Sequence, residues 1–295
     1  STAATVRGGQ ATLYGEGNAL RIAPGDTWEF YDTALRDYDN YRPSAPDDLA
    51  RFAMARDRRW EQSASARHVS RELIGFEDLD TYGTWREVRD YGWAWFPTRV
   101  SSGWAPYREG HWAWVEPWGW TWVDDAPWGF APSHYGRWAF VDQRWCWVPG
   151  PAHVRPVYAP ALVAFVGGAA LSASFGGGHG VGWFPLGPRE VYRPAYPVTR
   201  DYFTRINTSN TIVNVTQVTN VYETRNVANA VYRNQRVPGA VVAVAAAAFT
   251  QARPVAREAV RVRAENVQPQ AVMTAPPIAP AKQSVFGSHA AQRKP

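Results

Sequence analysis

The chain has 295 residues, enough for one large domain or two ordinary ones with a real core. Charged residues make up only 19% of it, and 16 Trp, 24 Gly and 23 Pro point to short strands and frequent turns rather than long helices. The net charge of +5 is carried almost wholly by arginine and forms no basic block in the first half; the single Cys146 excludes an internal disulfide and a cysteine-based metal site, and no run reaches the roughly 18 apolar residues that span a bilayer.

Residues 1–31 read as short strands, with turn signals at Gly15-Glu16-Gly17-Asn18 and Ala23-Pro24-Gly25-Asp26 between apolar runs. The start at Ser1 rather than Met is compatible with removal of a targeting segment or an upstream domain. Residues 32–84 hold one amphipathic helix and a linker. Ser44 is the expected N-cap, Pro46 sits in the first turn and Asp47 completes a capping pattern. Leu49, Phe52, Ala53, Arg56 and Trp60 then recur at helical spacing to about Gln62.

Residues 85–150 carry thirteen of the sixteen tryptophans and an internal repeat. Residues 103–115, GWAPYREGHWAWV, align with 129–141, GFAPSHYGRWAFV, at an offset of 26 with seven identities in thirteen positions. Echoes follow at GWAWFP (92–97) and GWFPLG (182–187). Trp112 and Trp114, and again Trp120 and Trp122, are two apart and so share a strand face. Glu116-Pro117-Trp118-Gly119 between them suits a type I turn closed by a left-handed glycine, so the stretch predicts a β-hairpin with four indoles on one side. Ala113, Val115, Thr121 and Val123 form the other side, which is also without charge, so both faces are expected to be covered. Burying four indoles is worth about 15 kcal/mol before entropy. The expected cover is the second copy, with Trp138, Phe140, Trp145 and Trp147, together with the GWAWFP strand. Cys146 reads as a half-buried thiol in a strand.

Residues 151–188 are a Gly/Pro-rich extension with the apolar run 161–166. Residues 189–263 read as a Tyr/Asn/Val-rich extended segment, NTIVNVTQVTNVY alternating like a strand, with a short helix near 240–250. Residues 264–295 are an Ala/Pro/Gln tail without the composition to build a core. The fold class expected is mainly β: Trp-rich hairpin repeats in a compact sheet unit, one helix before it and an extended C-terminal region.

The stretches SARHVSRELIGFEDLDTYGTW, YGWAWFPTRVSSGWAPYREGHWAWVEPWGWTWVDDAPWGFAPSHYGRWAFVDQRWCWVPGP, PVYAPALVAFVGG and VGWFPLGPREVYRP together resemble an uncharacterised family of bacterial envelope proteins with Trp-Gly-rich, YxWGxW-type repeats, often following a FecR-like domain. The likeness covers roughly residues 50–255, and residues 1–31 resemble the last strands of a FecR-like region. It implies export to the periplasm, the outer envelope or the medium and a mostly β fold. It transfers no catalytic residue. Cys146 stands where the family pattern usually has Gly.

The histidines show no metal spacing, and no nucleophile elbow or phosphate loop is present; GGGHG (176–180) lacks the Lys and Ser/Thr of a phosphate cradle and reads as a flexible loop. No cofactor is expected. Asp124-Asp125 with His134 reads as a solvated turn rather than an acid/base pair. Asn207 and Asn214 match the glycosylation sequon incidentally, and the aromatics lack the basic stripe of a nucleic-acid binder. The leading expectation is a non-enzymatic scaffold or interaction protein of an envelope or extracellular assembly. In that reading the hairpins form a rigid core, while residues 205–233 suit strand addition to a neighbour and Arg253, Arg257, Arg261 and Arg263 meet an acidic partner. The alternative is a glycan-binding module for peptidoglycan or exopolysaccharide, with loop aromatics Trp104, Tyr107, Trp118 and Trp128 as its platform. A remote third is a polymer hydrolase, for which Glu109, Glu116, Asp124 and Asp125 are the candidates.

Overall fold

The computed structural model describes residues 1–42, 45–167, 175, 178–224, 232–262 and 272–287. It divides into two units, Ser1–Gln62 and Ser63–Pro295. The protein is mainly β, and the strand pairs are antiparallel.

In the first unit β1 (Thr2–Thr5), β4 (Thr27–Phe30) and β5 (Tyr38–Tyr41) form one sheet, and β2 (Ala11–Gly15) and β3 (Asn18–Ile22) form a hairpin. Gly17 and Gly25 take positive φ at the two turns expected from the sequence. Val6, Ile22 and Phe30 are the buried centre, and the strands run past the boundary expected at residue 31. Helix α1 spans Asp48–Gln62. Asp47 does the capping: its Oδ1 accepts from the Ala50 N–H at 2.7 Å, while Ser44 lies outside the described residues. No residue of α1 is buried, and Leu49 is 75% exposed, so the apolar stripe read from periodicity is not a core face of this unit.

In the second unit residues 63–84 are not a linker. They make 3-10 turns at Ala64–Arg67 and Phe76–Asp78 and the short helix α2 (Leu79–Tyr82), and they bury Val69, Leu73, Phe76 and Leu79. Next come β6 (Gly83–Val88), β7 (Gly92–Pro97), β8 (Gly110–Val115), β9 (Gly119–Asp124), α3 (Phe130–His134), β10 (Arg137–Val141) and β11 (Arg144–Val148). Three hairpins result, each with a Gly-x-Trp at or just before the start of its first strand and a tryptophan directly opposite. The pairs are Trp85 with Trp95, Trp112 with Trp122, and Trp138 with Trp147. The glycines leave room for the indoles: a Cβ on Gly83, Gly110 or Gly136 would overlap Trp95, Trp122 or Trp147 respectively.

Two of the hairpins join into one sheet, ordered β10-β11-β7-β6, through the pairing of Trp147 with Trp95. Four tryptophans therefore stand in one row: 138, 147, 95 and 85. Indole buried area is stabilising only if each N–H finds an acceptor. Here all four do. Trp85 donates to Ser65 Oγ, Trp95 to the Leu79 carbonyl, Trp138 to the Pro132 carbonyl and Trp147 to the Tyr135 carbonyl, at 2.7–3.1 Å. The segments that precede the hairpins supply these acceptors, which is why residues 63–82 and α3 are ordered against the sheet. The opposite face buries Ala94, Phe96, Ala139, Cys146 and Val148. Cys146 is fully buried rather than half-buried, and burial pushes its thiol up to about 12.

The β8–β9 hairpin is a separate two-stranded ribbon. Its turn has the left-handed Gly119 that was expected and a cis Glu116–Pro117 peptide that was not. Trp112, Trp120 and Trp122 are covered by another sheet and by Phe249, not by the second copy of the repeat. That sheet contains β12 (Val163–Val166), β13 (Gly180–Pro185), β14 (Val242–Ala245), β15 (Val260–Arg261) and β16 (Val272–Met273), in the order β15-β14-β13-β12-β16. Trp112 packs on Phe165, Trp183 and Phe249 at 5.2–5.5 Å between ring centroids. The physical reason is pairing: the second copy spends its strand edge on β7 and its indoles on the row. The hairpin's outer face is not fully covered either: Thr121 is buried, but Val115 and Val123 are exposed.

Period-2 alternation sorts the large sheet. Val163, Phe165, Val181, Trp183, Val242 and Val244 face the tryptophan core, while Leu162, Ala164, Val166, Phe184 and Ala243 face a second cluster. Residues 189–263 are not extended throughout. They contain α4 (Arg200–Thr208), α5 (Val215–Thr224), α6 (Ala246–Thr250) and α7 (Val255–Glu258). Thr199 caps α4, and Phe203 and Ile206 are buried at helical spacing; Val215, Val218, Val221 and Tyr222 also recur at helical spacing and not by twos. The described part of the strand-addition segment is therefore largely helical. Part of the tail also joins the fold: β16 pairs with β12, and α8 (Lys282–Phe286) docks through Ser284 Oγ, which donates to the Thr250 carbonyl. A self-packed tail removes the reason for giving that stretch to a partner.

Candidate functional site

The turn of the β8–β9 hairpin and the strand edge beside it enclose a cleft of about 320 Å³. The hairpin contributes Trp114, Pro117, Trp118 and Trp120. Phe165 and Val163 come from β12, and Tyr192 and Tyr196 from the coil that follows β13. The fourth wall is the chain's own segment 274–278, with Thr274, Ala275, Pro276 and Ile278. No charged side chain lines the cleft among the described residues. Trp114 and Trp120 cross edge to face at 5.5 Å, and the half-buried Trp118 meets Tyr158 the same way at 5.1 Å. At the rim Trp114 donates to Glu116 Oε1 at 2.7 Å, which fixes its ring. Tyr196 and Tyr202 share a hydroxyl contact at 3.2 Å.

The four aromatics expected as a platform are not brought together there. Trp118 lines the cleft. Trp104 is half-buried, packed on Trp128 and Trp138. Tyr107 is 2% and Trp128 5% exposed, so both are core rings. The Tyr107 hydroxyl donates to the Ser133 carbonyl and accepts from the Leu162 N–H, joining the two sheets. Trp128 fails as a platform because it packs at a tilt on Trp95, 4.9 Å away. Tyr192, Tyr196, Trp114 and Trp120 are the cleft residues that sequence reasoning missed. For the tyrosines the only available signal was their place in a Pro-rich coil.

Of the basic candidates, Arg253 and Arg257 are exposed, and Arg253 reaches Glu258 at 3.4 Å. Arg261 lies in β15, paired opposite Val242; its side chain and the whole of Arg263 fall outside the described residues. The glycine run 176–180 is described only from Gly178.

None of Glu109, Glu116, Asp124 and Asp125 lines the cleft. Asp124 is not solvated as expected. Its carboxylate accepts from the Trp122 indole at 2.8 Å, the Ala126 N–H at 3.0 Å and Ser133 Oγ at 3.3 Å, and burial lifts its pKa to about 6. His134 is buried with Nδ1 2.8 Å from the Ala159 carbonyl and its ring stacked on Tyr158; burial holds it down at about 4. Both groups brace α3 against its neighbours. The sequon residue Asn207 is likewise fully buried. Among the described residues no group of three or more His, Cys, Asp or Glu could hold a metal ion, and no helix is long and apolar enough to cross a membrane.

Residues 76–190 match a family of unknown function (DUF6600). The DUF6600 region takes in the three tryptophan hairpins, β12 and β13. It stops before Tyr192 and Tyr196, so the cleft is completed by chain that lies beyond it. No curated protein and no solved structure is significantly similar to the chain.

Proposed function

We propose that the protein is a non-enzymatic interaction module of an exported bacterial assembly and that the aromatic cleft is its contact site. The observation that carries this reading is the uncharged lining of the cleft, with its half-open Trp118. The cleft presents no carboxylate, imidazole, thiol or amine to a ligand, and burial pushes its only ionisable groups, the Tyr192 and Tyr196 phenols, far above their ordinary value, which leaves them poor acids and bases. The cleft offers indoles, phenols and one threonine hydroxyl, while Asp124 and His134 are occupied elsewhere. The tryptophan row supports a rigid scaffold, because its four N–H groups are tied to fixed acceptors. Placement in the envelope rests on the likeness of the repeat motifs to envelope proteins.

The test is the mass of the native particle extracted from the source envelope. The expected result is an assembly heavier than the 32.9 kDa chain. A particle that remains a lone chain in every envelope and extracellular fraction overturns the assembly reading. The glycan reading keeps one favourable feature, Trp118 at the cleft; binding of oligosaccharides there is the result that would support it.

A further inference from the structure

We infer that the cleft recognises a proline-rich peptide segment of a partner, an inference that rests on its being a contact site at all. The chain itself supplies the precedent. Residues 274–280, Thr-Ala-Pro-Pro-Ile-Ala-Pro, run along the hairpin, and the indole N–H of Trp120 donates to the Ile278 carbonyl at 3.4 Å. The segment is anchored at both ends, by the pairing of β16 with β12 and by α8. Between the anchors it folds back on itself, the Ile278 N–H reaching the Pro276 carbonyl at 2.8 Å. One wall of the cleft is thus a proline-rich turn of the chain already seated against tryptophan.

The chemistry of the remaining walls selects the same kind of ligand. A proline-rich segment presents flat apolar rings and carbonyl acceptors, few N–H donors and no charge, and aromatic grooves hold it at little entropic cost. Trp114, Trp118, Tyr192 and Tyr196 give that segment ring faces, and Trp118 has an indole N–H to donate to its carbonyls, whereas the Trp114 N–H is already held by Glu116. A glycan asks for more. Its hydroxyls need carboxylate, amide or guanidinium partners, and no such side chain lines the cleft among the described residues. The volume of about 320 Å³ is at the lower end of the roughly 300–1,000 Å³ typical of ligand clefts and suits a few residues of peptide.

Tryptophan fluorescence of the full chain, titrated with a synthetic peptide of Ala-Pro-Pro repeats and with a Gly/Ser peptide of equal length, tests this. Saturable binding of the first and none of the second is expected. Trp118→Ala should weaken binding about tenfold or more, as loss of a central aromatic anchor does. Ala195→Glu is the second variant; it places a charge at an exposed wall position that the fold tolerates and should also abolish binding. Equal responses to both peptides, or binding untouched by both variants, overturns the inference. A third titration uses soluble peptidoglycan oligosaccharides. Saturation by these alone, lost in Trp118→Ala, overturns the peptide and keeps the site; no response to either ligand class overturns both.

Discussion

At the scale of single residues, Gly136 shows how much the tryptophan row demands of the backbone. It has φ +68, and a Cβ added to it would overlap the Trp147 indole and lie 2.6 Å from the Val148 carbonyl. Alanine there meets both a left-handed backbone and an occupied space. Gly136→Ala should therefore cost about 2 kcal/mol or more, read as a shift of the denaturant midpoint. An unshifted midpoint would mean that the ring moves aside without penalty. His134 gives a prediction with a sign. Folding lowers its pKa from 6.5 to about 4, so between those values the unfolded chain binds a proton that the folded chain refuses. Its stabilising contribution is complete above pH 6.5 and falls by about 3 kcal/mol on descending to pH 4. Asp124, raised from 3.8 to about 6, acts the other way and destabilises as pH rises through that interval. The two oppose each other in the native protein. In His134→Gln only the Asp124 trend remains, so the stability difference between native protein and variant should grow by about 3 kcal/mol from pH 4 to pH 7. A pH-independent difference would show that the imidazole is not held neutral.

At the scale of elements, α4 is a staple. Asn207 accepts from the Tyr192 N–H at 2.7 Å and the Arg137 guanidinium at 3.3 Å, and donates to the Tyr192 and Phe203 carbonyls. One turn on, Asn210 bonds the Gly136 N–H and the Val157 carbonyl. The buried Arg137, with carbonyls of Glu190 and Gly136 around it and no salt bridge, is lowered by burial to about 10. Asn207→Ala strips partners from several buried groups at once and should cost about 3 kcal/mol in a denaturant titration. Asn214→Ala, which removes only an exposed bond to the Thr216 N–H, should cost about 1 kcal/mol. Similar losses at the two positions would contradict the staple. The sequence concealed the neighbouring α5 for a definable reason. Val218, Val221 and Tyr222 recur at helical spacing inside a run of valines and threonines that also suits a strand, and the arbiter is their packing on Phe203 of α4, which no local pattern contains.

At the scale of the molecule, the second unit is closed by chain that joins it late. β16 covers one edge of the large sheet, and residues 274–278, between β16 and α8, form one wall of the cleft. A chain ending at residue 271 loses the pairing of Phe165 with Met273 and of Val166 with Val272, along with the packing of Ile278 on the core. Such a chain should unfold at lower denaturant and show red-shifted tryptophan emission as water reaches Trp120. Emission and midpoint identical to the full chain would show that the strap contributes nothing.

The mainly β character, the hairpin around Glu116–Gly119, the turns at Gly17 and Gly25 and the end of α1 were all legible in the sequence. Each depends on local physics: side-chain alternation, glycine φ and turn chemistry. The destination of the tryptophans was decided only in three dimensions. An indole stripe declares that it must be covered, but any apolar surface of matching shape can cover it. The sequence repeat suggested its own copy, whereas strand pairing sent that copy into the four-tryptophan row and left Phe165, Trp183 and Phe249 to cover the hairpin. The cleft follows from that choice, because its walls come from residues 114–120, 160–165, 192–196 and 274–278, which become neighbours only when the second unit closes.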